Sequence, residues 1–315
     1  MRTGLPASLA KRVRVATIPL ALVLAGGGLV LPSGAEGDWE TDFAEAKTAA
    51  SRERKDLFVL FTGSDWCPVC LELHRTVFAA REFQEQASRD FVLVQLDFPA
   101  GKTQPAPIRE QNRRLQTAFG VRGLPSMFLA DAAGIPYAEI ACEPGIAAGE
   151  FISRLHSFRT IRERRDREIE KAEPLEGEKR AEQLAKALET MDDDIAGRFY
   201  GALADELVAL DDSDKWKWKK RRAFQRKFFP LEAAVFALAN DGDGSAIEPK
   251  IDQFLAENPL ADAERQRVLL LKLGLFGPGD TPAALALLDK IVALDGKSRF
   301  ADQARAIRRR LAPDS

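Results

Sequence analysis

The residues of this chain best suited to chemistry are two cysteines, Cys67 and Cys70, separated by Pro68 and Val69. A thiol in the first turn of a helix faces unpaired backbone N–H groups and the positive end of the helix dipole, so its thiolate is favoured and its pKa falls. A second thiol one turn later could attack the mixed disulfide that the first one forms. The spacing therefore predicts a two-electron redox pair. Cys67 is its more exposed nucleophile and Cys70 its more buried resolving thiol.

The elements that would position this pair are a strand before it and a helix after it. The apolar run from Asp56 to Phe61 predicts a buried strand, and residues from Cys67 to about Ala80 are predicted to be helical. The other predicted elements, in chain order, are a helix over 38–54 capped by Asp38, a strand over 91–98, a helix over 108–119, a hairpin of strands ending near Leu129 and Ala141, and a helix over 147–158. This order predicts an α/β sandwich in which one mixed sheet lies between helices.

Two motifs connect this arrangement with a known family. Trp66-Cys67-Pro68-Val69-Cys70 follows a strand, and Gly123-Leu124-Pro125 precedes a strand farther along the chain. Together with the closing hairpin and helix, they resemble the thioredoxin-fold family, most of all its extracytoplasmic domains of the disulfide-reductase type. The resemblance covers residues 38 to about 160 and implies a thioredoxin-like domain over that range.

The resemblance also implies roles for single residues. In thioredoxin folds the proline at the position of Pro125 is cis and lies against the thiol pair. The backbone before it pairs with an extended substrate segment in the manner of an added strand. Leu124 and Pro125, with Trp66, are therefore the predicted substrate-binding residues, and Cys67 and Cys70 are the predicted catalytic residues. No cofactor is expected beyond a redox-active disulfide between the two cysteines.

An acid–base partner for the thiols is less evident. Many thioredoxins keep a buried acid six residues before the first cysteine, and Phe61 occupies that position here. This departure puts efficient proton transfer in doubt. Asp65 and Glu72 are the acids nearest in sequence, and we regard Asp65 as an accessory candidate.

Two further residues are accessory candidates. His74 falls on roughly the same helix face as the thiols, and two thiols with an imidazole could bind copper, which makes a metallochaperone a minor alternative. The spacing is not that of a closed zinc site and no fourth ligand is evident, so we predict no metal site. Cys142 is the third cysteine of the chain. It is a third redox participant, an intermolecular crosslink or a buried free thiol.

The N-terminal 35 residues have the pattern of a secretory signal peptide. Basic residues at Arg2 and Arg14 precede an apolar segment over 15–31, and Ser33-Gly34-Ala35 supplies small residues for cleavage. Residues 1–35 are therefore predicted to direct export, which places the protein in the periplasm or another extracytoplasmic compartment. An uncleaved N-terminal anchor is the alternative. Outside the cytoplasm, a thiol pair can persist as a disulfide.

Composition excludes a general role in binding nucleic acid. The 315 residues carry a formal net charge of −2, with 45% hydrophobic and 30% charged residues. Such a balance gives no overall attraction to an anionic polymer or membrane. The one local exception is the basic, tryptophan-containing segment 215–222, which we interpret as a solvated helix face with acidic residues nearby.

Beyond residue 160 the sequence predicts helices only. A charge-rich stretch over 161–194 is predicted to be a solvated helical linker. Residues 195–315 are predicted to form an α-helical domain whose last helix pair resembles a tetratricopeptide hairpin. The predicted helices cover residues 195–210, 223–239, 247–257, 263–275, 282–294 and 298–311.

These features together predict an exported thiol–disulfide oxidoreductase that acts on protein thiols or disulfides and works with a redox partner protein. The helical domain would bind a protein or mediate oligomerisation. A non-catalytic scaffold, built from a thioredoxin-like module and a helical repeat, is the main alternative. The motif does not predict whether the protein reduces, oxidises or isomerises disulfides.

Overall fold

The computed structural model describes residues 39–143, 145–240, 242–276 and 280–312. The predicted signal peptide and the predicted helix cap Asp38 lie outside these ranges. Among the described residues, no helix has both the length and the apolar character needed to cross a membrane.

Four strands form one mixed sheet in the order β2-β1-β3-β4. They are β1 (Asp56–Thr62), β2 (Phe91–Asp97), β3 (Ser126–Ala130) and β4 (Pro136–Ile140). Strand β1 pairs in parallel with β2 and antiparallel with β3, which forms an antiparallel hairpin with β4. All of β1 is buried, as its continuous apolar run predicts for a central strand covered on both faces. The predicted mixed sheet between helices is confirmed.

The helices around the sheet are α1 (Phe43–Glu53), α2 (Pro68–Leu73), α3 (Arg81–Asp90), α4 (Ala106–Phe119) and α5 (Ala148–Ala172). A π-helical turn over His74–Phe78 continues α2, so the predicted helix after Cys67 is present.

The start of α1 differs from the prediction. The carboxylate of Asp42 accepts hydrogen bonds from the backbone N–H groups of Ala44 and Glu45, which makes it the N-cap. Residues before it are not helical: Glu40 instead forms an isolated parallel bridge with Val94 of β2. Apolar spacing alone extended the helix too far, because Trp39 is an apolar contact of the sheet core and not part of the helix.

Helix α3 is absent from the sequence-based prediction. Only Phe83 and Ala87 of its ten residues are buried, so its apolar face is a single pair of residues four positions apart in a polar segment. Phe83 is fully buried among aromatic rings that include Phe58 and Phe78. One aromatic residue therefore ties this polar helix to the sheet.

The charge-rich segment that follows residue 158 is not a solvated linker at its start, which corrects the prediction. Helix α5 runs through it, and Arg159 and Arg162 both bind the buried carboxylate of Asp56 at the start of β1. Arg165 is itself buried and bonds to the hydroxyl of Tyr200. Buried charges persist when they are paired in this way.

The rest of the described chain is helical, which confirms the predicted all-helical region. Its helices are α6 (Gly177–Glu189), α7 (Asp193–Phe199), α8 (Gly201–Leu210), α9 (Trp218–Asn240), α10 (Ile247–Glu257), α11 (Asp262–Leu270), α12 (Thr281–Leu294) and α13 (Arg299–Leu311). The single helix predicted over 195–210 is wrong. Tyr200 leaves the helical conformation, with φ −114° and ψ 29°, and separates α7 from α8.

One hydrophobic core extends from the sheet into the first helices of this region, as far as Trp218. Two smaller cores lie within the later helices. The predicted boundary at residue 160 falls inside α5, and the division into separate domains stays a prediction. We refer below to α6–α13 as the helical region.

The basic segment 215–222 was predicted to be a solvated helix face, but part of it packs into the fold. Trp218 is almost fully buried. Lys215 pairs with Glu178, and Arg222 pairs with Asp205. The pair of Lys215 and Glu178 lies on the surface, whereas the Arg222 side chain is mostly buried, so one side of the segment is solvated and the other is packed.

Candidate functional site

The two cysteines of the predicted redox pair form a disulfide at the start of α2. Cys67 is the N-cap of this helix, in extended conformation, and Pro68 follows at its first position. Proline suits that position because its missing N–H would have no helical partner there. The Cys67 Sγ accepts a hydrogen bond from the backbone N–H of Cys70 at 3.3 Å. The helix start thus supplies this sulfur with a backbone donor, as the sequence predicts.

Both cysteines are buried in the disulfide form. Cys67 is 5% exposed and Cys70 is 3% exposed. Cys67 is thus only slightly more exposed than Cys70, because its sulfur lies against the chain that precedes β3.

The second motif lies beside the first. The Leu124–Pro125 peptide bond is cis, as the resemblance implied. The carbonyl oxygen of Leu124 lies 3.7 Å from the Cys67 Sγ. The structure thus brings together two motifs that are 57 residues apart in sequence. This contact places the backbone that precedes β3 at the sulfur that would react.

Apolar side chains surround the disulfide at the surface. Trp66 is 52% exposed and Val69 is 43% exposed, and Leu71 is also among the exposed large apolar residues. A cluster of exposed apolar side chains at a reactive group is typical of a binding surface. The substrate-binding roles of Trp66, Leu124 and Pro125 remain predictions. Trp66 precedes Cys67 in the chain, and the backbone of Leu124 contacts the Cys67 sulfur.

The loop before Cys67 is held by residues at the end of β2 that sequence reasoning missed. The carboxylate of Asp97 accepts hydrogen bonds from the Ser64 backbone N–H at 2.9 Å and from the Ser64 hydroxyl at 2.6 Å. The indole N–H of Trp66 donates to the carbonyl of Phe98 at 2.7 Å. A signal for this was available, because parallel β1 and β2 end at the same edge of the sheet and Thr62 is in register with Asp97.

Asp65, the acid proposed as an accessory residue, also holds this loop. Its carboxylate accepts hydrogen bonds from the backbone N–H groups of Ala100 at 2.9 Å and Gly101 at 2.8 Å. These bonds lower the pKa of Asp65 below its ordinary value. An acid that stays ionised in this way is a poor proton donor. Phe61, at the usual position of the acid, is fully buried among Phe98, Phe119 and Phe128.

Among the described residues, no side-chain hydrogen bond or ion pair joins the other two accessory candidates to the disulfide. His74 is exposed on the helix surface. Within the described ranges, no group of three or more His, Cys, Asp or Glu residues is arranged to hold a metal ion. Cys142 is a free, partly buried thiol whose pKa is raised, mainly by burial. A thiol with a raised pKa is less reactive at neutral pH.

Comparison with known proteins identifies the class to which this site belongs. Residues 43–157 match the family described as a thioredoxin-like domain. The disulfide bond reductase DsbH of Chlamydia pneumoniae is 32% identical over 124 residues, which cover 39% of this chain and 74% of DsbH. The thioredoxin-related protein DsbJ of the same organism is 32% identical over 91 residues, which cover 29% of this chain and 26% of DsbJ.

The chain therefore belongs to the thioredoxin-like family of the disulfide-reductase type. The activity that this family and the Cys67–Cys70 disulfide support is thiol–disulfide oxidoreduction.

Two solved structures are similar to parts of this chain. One is the structure of a DsbH oxidoreductase, which is 32% identical in sequence. The match covers 40% of this chain and 85% of the DsbH chain, with a TM-score of 0.37. The other is the oxidised C-terminal domain of DsbD from Neisseria meningitidis, which is 18% identical in sequence. The match covers 36% of this chain and 90% of the DsbD chain, with a TM-score of 0.28. The family assignment rests on the sequence relationships.

Proposed function

We propose that this protein is an exported thiol–disulfide oxidoreductase that exchanges disulfides with extracytoplasmic proteins. The observation that carries the proposal is the position of the Cys67 sulfur, 3.7 Å from the carbonyl oxygen of Leu124 at the cis-proline edge. An extended substrate segment that hydrogen-bonds to this backbone edge would present its own sulfur to Cys67. The exposed side chains of Trp66 and Val69 supply apolar contact for such a segment.

The reaction proceeds by two thiol–disulfide exchanges. In the reducing direction, the Cys67 thiolate attacks one sulfur of a substrate disulfide, and the other substrate sulfur leaves as a thiolate that takes up a proton. Cys70 then loses its proton and attacks the Cys67 sulfur, which releases the second substrate thiol. The protein ends as the Cys67–Cys70 disulfide, and the substrate has gained two electrons and two protons.

A reducing partner protein would return the disulfide to two thiols for the next cycle. The same two exchanges run in reverse would oxidise a dithiol substrate, so the redox potentials of the partner and the substrate set the direction. Reduction is the direction that the name of the relative DsbH favours. Export is supported by the charge and apolar pattern of residues 1–35.

The first experiment compares wild type with Cys67→Ser in insulin reduction and in oxidative refolding of a reduced protein. We expect Cys67→Ser to lower both rates to the uncatalysed background, because no thiolate remains to form the mixed disulfide. Cys142→Ser is the matched control and should keep the wild-type rates. If wild type shows no thiol-dependent turnover in either direction, the proposal is wrong.

A second experiment identifies the partners. In Cys70→Ser the mixed disulfide on Cys67 has no resolving thiol, so we expect substrates to stay attached and to be released by a reductant. Mass spectrometry of the trapped species then names the substrates. Cys67→Ser/Cys70→Ser should trap nothing, which separates capture at Cys67 from capture at Cys142.

The burial of both cysteines favours one alternative, a scaffold with little turnover. The two functions differ in what reduction does to the site. If Cys67 is alkylated by a thiol reagent in the folded, reduced protein, the pair is accessible and the enzyme is supported. If both thiols resist the reagent until the protein is unfolded, the scaffold is supported.

A further inference from the structure

The segment that leads into the cis-proline edge is held by the helical region. It covers residues 119–122, between the end of α4 and Gly123. The ring of Phe119 packs edge-on against Phe199 of α7, with ring centroids 5.6 Å apart. Gly120 has φ +70°, and the guanidinium of Arg198 lies so close to it that an added Cβ would be 2.5 Å from its central carbon. Two successive residues of α7 therefore contact this segment.

Arg122 adds an ion pair to these contacts. Its Nε donates to the Glu232 Oε1 at 3.1 Å, and its terminal nitrogen lies 3.0 Å from the same oxygen. That nitrogen is also 3.6 Å from a carboxylate oxygen of Asp194. Glu232, on α9, is completely buried, and its other oxygen pairs with Arg198. A buried carboxylate with two arginine partners holds each of them firmly, since an unpaired charge there would be costly.

Packing supports Arg122 less than these ion pairs do. With Val121, Phe236 and Leu271, it lines a cavity of about 440 Å³. This pocket is partly open to solvent, so the segment is not close-packed on that side. The ion pairs with Glu232 and Asp194 are therefore what fixes Arg122, two residues before Leu124.

We propose that the helical region positions the substrate-docking edge of the thioredoxin-like site through Arg122 and Glu232. Both are positioning residues, because they act through the backbone of Leu124 and not on a reacting atom. The inference rests on the proposed function, in which Leu124 offers its backbone to an extended segment. A substrate that uses this edge should depend on Arg122, whereas a small disulfide that only meets the Cys67 sulfur should not.

The test compares a protein substrate with a small one in full-length Arg122→Gln. Insulin reduction is measured with dithiothreitol as the terminal reductant, and the reduced protein is separately reacted with oxidised glutathione. We expect the KM for insulin to rise about fivefold, the size of one weakened binding contact, with kcat and the glutathione rate unchanged. An unchanged KM, or an equal loss with both substrates, would overturn the inference.

Arg180→Gln is the matched control. The side chain of Arg180 is 27% exposed, close to the 32% of Arg122, and it pairs with a carboxylate, Glu206, of the helical region. Its other bond is to the carbonyl of Ala172 at the end of α5, so it does not contact the segment before Leu124. This variant should leave the KM for insulin and the glutathione rate at their wild-type values. Arg122→Lys keeps the charge and loses the second contact, so its KM should lie between those of wild type and Arg122→Gln. If Arg122→Gln does not fold, Arg122→Lys carries the test.

A measurement that does not need turnover separates this inference from the proposed function. Amide hydrogen exchange at Leu124 and Ser126 reports how firmly the edge is held. We expect faster exchange there in Arg122→Gln than in Arg180→Gln. If wild type has no activity, the proposed function fails and the exchange comparison still decides the positioning role. Equal exchange in the two variants would refute that role.

Discussion

The two sides of the candidate site are held by different parts of the chain. On the cysteine side, the loop before Cys67 is fixed by Asp97 and by the backbone that follows β2. On the proline side, the segment before Leu124 is fixed by Arg198 and Glu232 of the helical region. The loop that carries the nucleophile is therefore held by contacts within the thioredoxin-like part, whereas the docking edge also depends on the helices beyond it.

This difference predicts two classes of variant. Substitutions on the cysteine side should slow small and large substrates together, because they disturb the reacting sulfur. Substitutions on the proline side, such as Arg122→Gln, should affect only substrates that use the docking edge. The predictions that follow concern the cysteine side and run from the largest expected effect to the smallest.

Gly63→Ala should have the largest effect on stability and rate. A Cβ at Gly63 would lie 2.8 Å from the indole ring of Trp66 and 3.1 Å from the Cβ of Cys67, so both residues must shift. Overpacking of this kind typically costs about 1–3 kcal/mol. We expect a lower urea midpoint, and lower rates with both insulin and oxidised glutathione.

Gly244→Ala is the control for Gly63→Ala, because no atom lies within 4 Å of its added Cβ. It should leave both rates and the urea midpoint unchanged. If Gly63→Ala slowed the reaction with insulin alone, the cysteine side would not be separate from docking.

Ser64→Ala should have an intermediate effect. It removes the hydrogen bond of 2.6 Å between the Ser64 hydroxyl and Asp97 and leaves the backbone bond to the same carboxylate. A hydrogen bond to a charged group contributes about 1.5–3 kcal/mol, and the remaining bond should keep the loss near the lower value. We expect both substrates to react more slowly, by similar factors.

Ser245→Ala is the matched control, since it removes an exposed hydroxyl that is bonded to Asp243 far along the chain. Its rates and its free energy of unfolding should equal those of wild type. A Ser64→Ala protein with unchanged rates would show that Asp97 does not position the cysteine loop.

Asp65→Asn should have the smallest effect, and one that depends on pH. Backbone hydrogen bonds from Ala100 and Gly101 lower the pKa of Asp65 in the folded protein. The carboxylate therefore stabilises the fold above its ordinary pKa, and this stabilisation is lost as the pH falls through the lowered value. The urea midpoint of wild type should exceed that of Asp65→Asn at about pH 7, and the gap should close toward about pH 3. A gap that persists in acid would contradict this origin.

Much of the site was predictable because its signals are local. A few neighbouring residues predict each of three features: the apolar run of β1, the helix start at Cys67 and the turn before β3. Side-chain period and turn chemistry act over such short distances. The hairpin of the last two strands and the family resemblance followed from the same residues.

Contacts between distant residues were not predictable in this way. The charges of α5 were expected to face solvent, yet Arg162 binds Asp56, 106 residues earlier in the chain. A run of charged residues predicts that each charge needs solvent or an opposite charge. It does not predict which distant residue supplies that charge. Helix α3 was missed for a different reason, because its buried face consists of only two residues, Phe83 and Ala87, in an otherwise polar segment.

The sequence by itself determined the chemistry: a thiol pair at a helix start, a proline edge to face it, and a sheet to support both. Only the tertiary structure decided how that edge is held. Arg122 and Glu232 are 110 residues apart, and each alone resembles any charged residue on a helix or loop. They act together only in the folded protein, where Glu232 is buried and its carboxylate pairs with Arg122 and Arg198.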